Sequence, residues 1–229
     1  MPSPSFAGRR TAPALAALIA VAATTLVLAV SGQADSGHSR GMVTAKARVT
    51  HKQLVFHDAM RKLWEDHVTW TRLAIVSFAA DLPDLSATET RLLRNQTDIG
   101  NAVKPFYGRA AGNRLTTLLK EHILGAVALL QAAKSGDQAL IKQRSDEWYA
   151  NAKQIADFLH RANPRHWSRH DLRKMMQTHL DQTLAEATHR LQGNFPADIR
   201  DYERINRHIL EMADTLSAGI IAQFPGRFR

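Results

Sequence analysis

His67, His122 and His179 recur at intervals of 55 and 57 residues, and each is followed 28 or 29 positions later by a second polar group, Asn95, Asn151 and His208. Three imidazoles converging on one point with an open position suit zinc or another first-row transition metal. Glu186, two helical turns beyond His179 on the same face, adds a carboxylate to that set, with His208 and Asn95 nearby. The same residues also have a structural reading. A buried neutral imidazole donates from one nitrogen and accepts at the other, and an amide on a facing helix complements either. Each such bond adds about 1 kcal/mol, whereas an unpaired partner costs about 1–3 kcal/mol. On that reading Asn95 and Asn151 are the core partners of His67 and His122.

Two further sets carry polar chemistry. Asn101, Asp157 and Asp214 recur nearly two turns beyond the first set, at matching depth in the second segments. They form either a ring of oxygen ligands for a cation or a sugar-like ligand, or short polar residues facing solvent and neighbouring helices. His160, Arg161, Arg165, His166, Arg169 and His170 surround Trp167, a cluster able to meet phosphate. No nucleic-acid module surrounds it, so no nucleic-acid partner is expected and the segment reads as a surface linker anchored by its tryptophan. A di-metal carboxylate centre needs Glu-x-x-His on two helices. Here that motif occurs once, Glu186 to His189, with His189 turned about 80° from His179 at roughly 100° per residue. There is no Gly-x-Ser-x-Gly elbow, phosphate-cradling glycine loop or His-Glu-x-x-His helix, so no cofactor site or catalytic residue is assigned.

These residues must be positioned by helices. Leu63, His67, Thr71, Ala74 and Phe78 step by three or four residues, as do Leu115, Leu119, His122, Ala126 and Leu129, and again Leu172, Met176, His179, Thr183 and Ala187. The histidines therefore lie on apolar stripes. The midpoints of the three polar pairs fall at Asp81, between Gly136 and Asp137, and between Gly193 and Asn194, all turn-type residues. Ser86 to Glu89 reads as a capping box, and Asp137 and Asp198 as helix starts. Pro105 to Asn113 and Asn163 to Ser168 read as linkers. The spacing predicts an all-α closed bundle of about six helices, built from three αα-hairpin repeats over residues 53–107, 108–164 and 165–225. Met60 to His67 overlies Leu172 to His179 without gaps, and Thr71 then falls on Thr183.

The N-terminus has a different character. Arg9 and Arg10 precede an apolar run from Ala14 to Val30, and small residues follow at Ser31, Gly32 and Ala34. Residues 1–34 read as a signal peptide cleaved after Ala34, or as a retained N-terminal membrane anchor, since a span needs about 17–25 apolar residues. Residues 35–52 read as a basic polar stem and 53–229 as the helical body. Residues 1–52 hold six of the 30 basic side chains and one of the 21 acids, so much of the net charge of +9 belongs to leader and stem. With no cysteine, a disulfide scaffold and thiolate chemistry are excluded, and stability rests on the core.

Leu63-Trp-Glu-Asp-His-Val-Thr-Trp-Thr-Arg72, Leu82-Pro-Asp84, Pro105-Phe-Tyr-Gly108 to His122, and His208-Ile-Leu-Glu-Met-Ala-Asp214 to Pro225 resemble an uncharacterised family of small exported bacterial helical proteins. Members of that family are often labelled glycosyltransferases, and the label implies sugar transfer from an activated donor. This chain lacks the α/β nucleotide-binding pattern, and Asp81-Leu-Pro-Asp84 sits at a helix turn, so no functional residue is carried over. The leading expectation is an exported cell-envelope bundle that binds a small ligand or an envelope component. The alternatives are a metal-binding protein using the histidines and an enzyme acting on envelope glycans.

Overall fold

The computed structural model describes residues 49–229; the expected leader and most of the stem lie outside the described residues. The described chain is all-helical: α1 (His51–Ala79), α2 (Leu85–Ser135), α3 (Gln138–Ala162), α4 (Arg169–Leu191) and α5 (Phe195–Gln223), closed by a 3-10 turn, Pro225–Phe228. No helix among the described residues is long and apolar enough to cross a membrane.

Local chemistry sets the ends. The Thr50 side chain accepts from Gln53 N while the Gln53 side chain accepts from the Thr50 backbone, a reciprocal capping box. Asp137, Ser168 and Asn194 cap α3, α4 and α5 by accepting a backbone N–H three residues on. The expected box at Ser86 does not form, because α2 begins two residues earlier, with Asp84 rather than Ser86 in the N-cap position. The three sharp turns lie where the polar-pair midpoints place them. Asp81, Gly136 and Gly193 have φ of 51°, 76° and 71°, the left-handed region that glycine tolerates best.

Five helices stand where six were expected, and the difference lies at Pro105 to Asn113. Instead of a linker, helix runs through this stretch, interrupted at Gly108 with φ 85° and ψ 168°. That one glycine reverses the chain, so the two halves of α2 pack against each other. A Cβ on Gly100 would stand 2.7 Å from Gly112 O and 1.9 Å from Thr116 Oγ1, an approach that only glycine permits.

α1 packs on α2 and on α5, α2 on α3, α3 on α4, and α4 on α5, which closes the bundle. The core runs along its axis through Trp64 and Val68 of α1, Leu118 and Leu119 of α2, Ile155 of α3, Leu180 of α4 and Ile209 of α5. Burying a side chain of this size contributes about 1.5–3 kcal/mol. Trp167 is the anchor expected of its linker: it is buried, and its indole N–H donates to Thr215 O at 3.3 Å over Gly219.

Candidate functional site: a histidine layer below an apolar cavity

The three first-segment histidines meet in the interior. His179 lies between the other two, with ring centroids 5.8 Å from His67 and 5.9 Å from His122, and all three are buried. Each sits on an apolar stripe that the bundle turns inward, so the burial follows from the helical period.

The second-segment polar residues share one task. Asn95 Nδ2 donates to Leu63 O at 3.0 Å, Asn151 Nδ2 to Leu118 O at 3.2 Å, and His208 Nε2–H to Met175 O at 2.9 Å. Each accepting carbonyl lies four residues before a histidine of the layer. The histidine carbonyls are also engaged. Thr71 and Thr183 hydroxyls donate to His67 O and His179 O at 2.8 Å, and the middle segment, with Ala126 at that position, uses the Trp148 indole at 3.1 Å.

The rings differ in how they are served. His122 Nδ1–H donates to Asn151 Oδ1 at 2.9 Å, so one amide holds both the ring and the carbonyl. His67 is not partnered by Asn95 as expected but by its neighbour Gln96, whose Nε2 donates to His67 Nδ1 at 3.1 Å. Asn95 keeps the carbonyl, and the two N–H bonds of Gln96 Nε2 are shared among His67 Nδ1, Leu92 O at 2.9 Å and Asn95 Oδ1 at 3.2 Å. The constant spacing of 29 residues, shared by His122 with Asn151 and His179 with His208, was the sequence signal that selects Gln96. His208 spends its Nε2–H on a carbonyl, and His179 Nδ1 is left without a partner inside the protein.

Two tautomers follow. Asn151 fixes the proton of His122 on Nδ1, and Gln96 fixes that of His67 on Nε2. All three rings are held neutral. Burial, then repulsion from His122, lowers His67 to about 3; burial lowers His122 to about 4; burial, then the neighbouring histidines, holds His179 well below 6.5.

This arrangement bears on the metal reading. A metal-bound imidazole normally donates its outer N–H to an oxygen. His122 meets that requirement; His67 does not, because the group facing its Nδ1 is the amide nitrogen of Gln96 rather than an oxygen. Glu186 is committed elsewhere, accepting from Arg72 Nη1 at 3.0 Å. Among the described residues, no group of three His, Asp or Glu side chains is disposed to hold a metal ion.

Sequence reading missed the cluster around Glu186. Arg72 of α1 is clamped by both oxygens of fully buried Asp198, whose Oδ2 also accepts from Arg190 at 3.4 Å. His189 Nδ1 lies 2.6 Å from Asp201, which also accepts from Arg204. Burial pushes Glu186 up to about 7, against the opposing pull of Arg72. The sequence had marked Glu186 as a metal ligand, His189 as the end of a lone Glu-x-x-His motif and Asp198 as a helix-start residue, which in fact lies inside the first turn of α5, but nothing in it joined them to Arg72.

Asn101, Asp157 and Asp214 do not converge. Asp157 takes a two-pronged contact from Arg173 at 2.9 and 2.7 Å, which holds its carboxyl below the usual range. Asp214 binds Arg61 at 2.6 Å and His57 at 2.9 Å. Asn101 is exposed on the outer surface. The two acids thus tie α3 to α4 and α5 to α1. At the remaining contact, between the halves of α2, the arginine position is Thr116 and the acid position is Asn101, so both charges are missing together.

Above the histidines, toward the three turns, lies a cavity of about 50 Å³ with an almost wholly apolar lining. Thr71, Ala126 and Thr183, each four residues after a histidine, border it, with Ile75, Ile123 and Trp148 around them. Below, Trp64, Leu119 and Met176, each three residues before a histidine, border a smaller cavity of about 20 Å³. The histidine layer divides the two. No protein-family model, curated protein or solved structure matches the chain.

Proposed function

We propose that this chain is an exported, non-catalytic helical bundle that binds a slender apolar ligand, built from three copies of one αα-hairpin. Support for the copies comes from the polar layer: three donors on three second segments reach three carbonyls, each four residues before a histidine. Corresponding residues also border the cavities on either side. Support for export comes from the leader-like composition of residues 1–34.

One observation carries the binding reading: the cavity at the turn end. Interiors are packed to near crystal density, and apolar voids larger than a water are few. A cavity of about 50 Å³ with so few polar groups is unfavourable for water, which needs two to four partners. It suits the end of an alkyl chain or an apolar side chain inserted between the helices. The polar layer forms a floor, because two of its rings and the three carbonyls four residues before the histidines are hydrogen-bonded to side chains of the second segments.

Titration of the full chain with straight-chain alcohols of increasing length tests this reading. At a hundredfold excess over Kd, an occupant raises the unfolding temperature by roughly 5–10 °C. It also alters the emission of Trp148, which lines the cavity. Ala126→Leu and Ala126→Phe fill the space and should abolish both responses. Absence of any shift across the series, or equal binding by both variants, would refute the reading.

A further inference from the structure

Four separate segments meet at the end of the bundle opposite the three turns, held there by an aromatic cap. Phe56 of α1 meets Phe106 beside the Gly108 reversal at 5.0 Å, and Phe106 meets Phe228 at 5.6 Å. Tyr107 meets Phe224 at 5.3 Å and Trp167 of the α3–α4 connection at 6.0 Å. Thr50 Oγ1 donates to Phe228 O at 2.6 Å, which places the start of α1 at the same pole.

The charge gathered there is one-sided. Residues 49–58, 103–114, 157–171 and 220–229 together hold nine Lys and Arg side chains and three acids, Asp58, Asp157 and Asp171. The rest of the described body holds 16 basic and 17 acidic side chains, so the pole carries more than the whole positive excess. Asp171 is engaged by His170 at 3.0 Å. Of the nine cations only Arg169 lies within 4 Å of an acidic side chain among the described residues, Asp157 at 3.8 Å, and Arg161 acts on the same carboxylate from farther away. Arg109, Arg165 and Arg227 are exposed, as are the apolar side chains of Val49, Leu54 and Val55. The chain continues from this pole into the basic stem with Arg40, Lys46 and Arg48, and beyond it into the apolar run Ala14–Val30.

We infer that this pole docks on an anionic phospholipid surface, with the unpaired cations against the headgroups and the turn-end cavity facing away. Charge complementarity and exposed apolar side chains on one face suit a bilayer interface. The side chain cluster around Trp167 is one quarter of this surface rather than an isolated linker feature.

The chain has no cysteine, so single labels can be placed without background. His166→Cys at the pole and Gln138→Cys at the turn end, each in the full chain, are labelled with a fluorophore. Both are mixed with phosphatidylcholine vesicles with or without phosphatidylglycerol, carrying a headgroup quencher. On phosphatidylglycerol the label at 166 is quenched and that at 138 is not, and raised salt removes the difference. Each cation near such a surface adds about 1 kcal/mol, or about fivefold, so Arg109→Gln with Arg165→Gln and Arg227→Gln lowers the docked population about a hundredfold. Equal quenching at both labels, the same contrast on phosphatidylcholine alone, or an unaffected triple variant overturns the inference. So does salt-sensitive binding of a DNA oligomer without any contrast on phosphatidylglycerol, which would assign the pole to nucleic acid.

Discussion

Arg72→Met will lower the stability of the bundle by about 3–5 kcal/mol at neutral pH, the cost of leaving buried carboxylates without their counter-charge. Arg72 is the only residue of α1 that reaches into the α4–α5 network, and it serves Glu186 and Asp198 together. The loss has a predictable pH dependence. Glu186 already sits at about 7 in the folded chain against 4.5 as its ordinary value, and removing Arg72 raises it further. A carboxyl raised on folding contributes its stability in full below the unfolded value and loses it as pH rises. The deficit of the variant is therefore largest near pH 8 and smaller near pH 5. Adding Glu186→Gln to Arg72→Met should remove much of that pH dependence. Urea unfolding at the two pH values measures both effects. A deficit below about 1 kcal/mol, or one independent of pH, would show that the network contributes little.

The intact chain will itself be acid-labile, and steeply so. His67, His122 and His179 are held below the unfolded value of 6.5, so the unfolded state binds more protons between 6.5 and the folded values of about 3 and 4 for the first two. Stability from these rings is complete above pH 6.5 and falls as pH drops below it. Each contributes about 1.4 kcal/mol per pH unit in that window. Glu186, raised rather than lowered, acts in the opposite sense between 4.5 and 7 and cancels roughly one ring. The net loss is about 3 kcal/mol per pH unit from pH 6 to 5, a substantial part of the roughly 5–15 kcal/mol that keeps an ordinary domain folded. Urea midpoints at pH 7, 6 and 5 give the slope. A flat profile would mean that the rings are charged or solvated in the folded state.

The helical period of 3.6 made the histidines legible as core residues, and turn chemistry made the three reversals legible at Asp81, Gly136 and Gly193. The Gly108 reversal was harder to read. Pro105, Gly108 and Gly112 resemble a loop in composition, yet one glycine turns the chain while helix continues on both sides. The choice of Asn95 over Gln96 failed for a related reason: adjacent polar residues on a helix point about 100° apart, and only packing decides which reaches the ring. In the first hairpin the two share the work that Asn151 does alone. The Arg72 network joins residues more than 100 positions apart, a separation at which no local spacing rule operates.

The layer is not fully satisfied. Trp64 Nε1, Gln96 Oε1 and His179 Nδ1 are buried without partners within the protein, and all three residues neighbour His67. Each such group costs about 1–3 kcal/mol. These rings therefore persist as a framework that fixes which helices face one another, at some expense in stability.

The most direct test of that role is the protonation state of the rings, read from imidazole nitrogen chemical shifts in the full chain at pH 7 with and without added zinc. The expected spectrum shows three neutral buried rings, with the proton on Nδ1 of His122 and on Nε2 of His67, unchanged by zinc. A common tautomer for the two rings, or zinc-induced shifts in His67, His122 and His179 together, would contradict a hydrogen-bonded framework and restore the metal site.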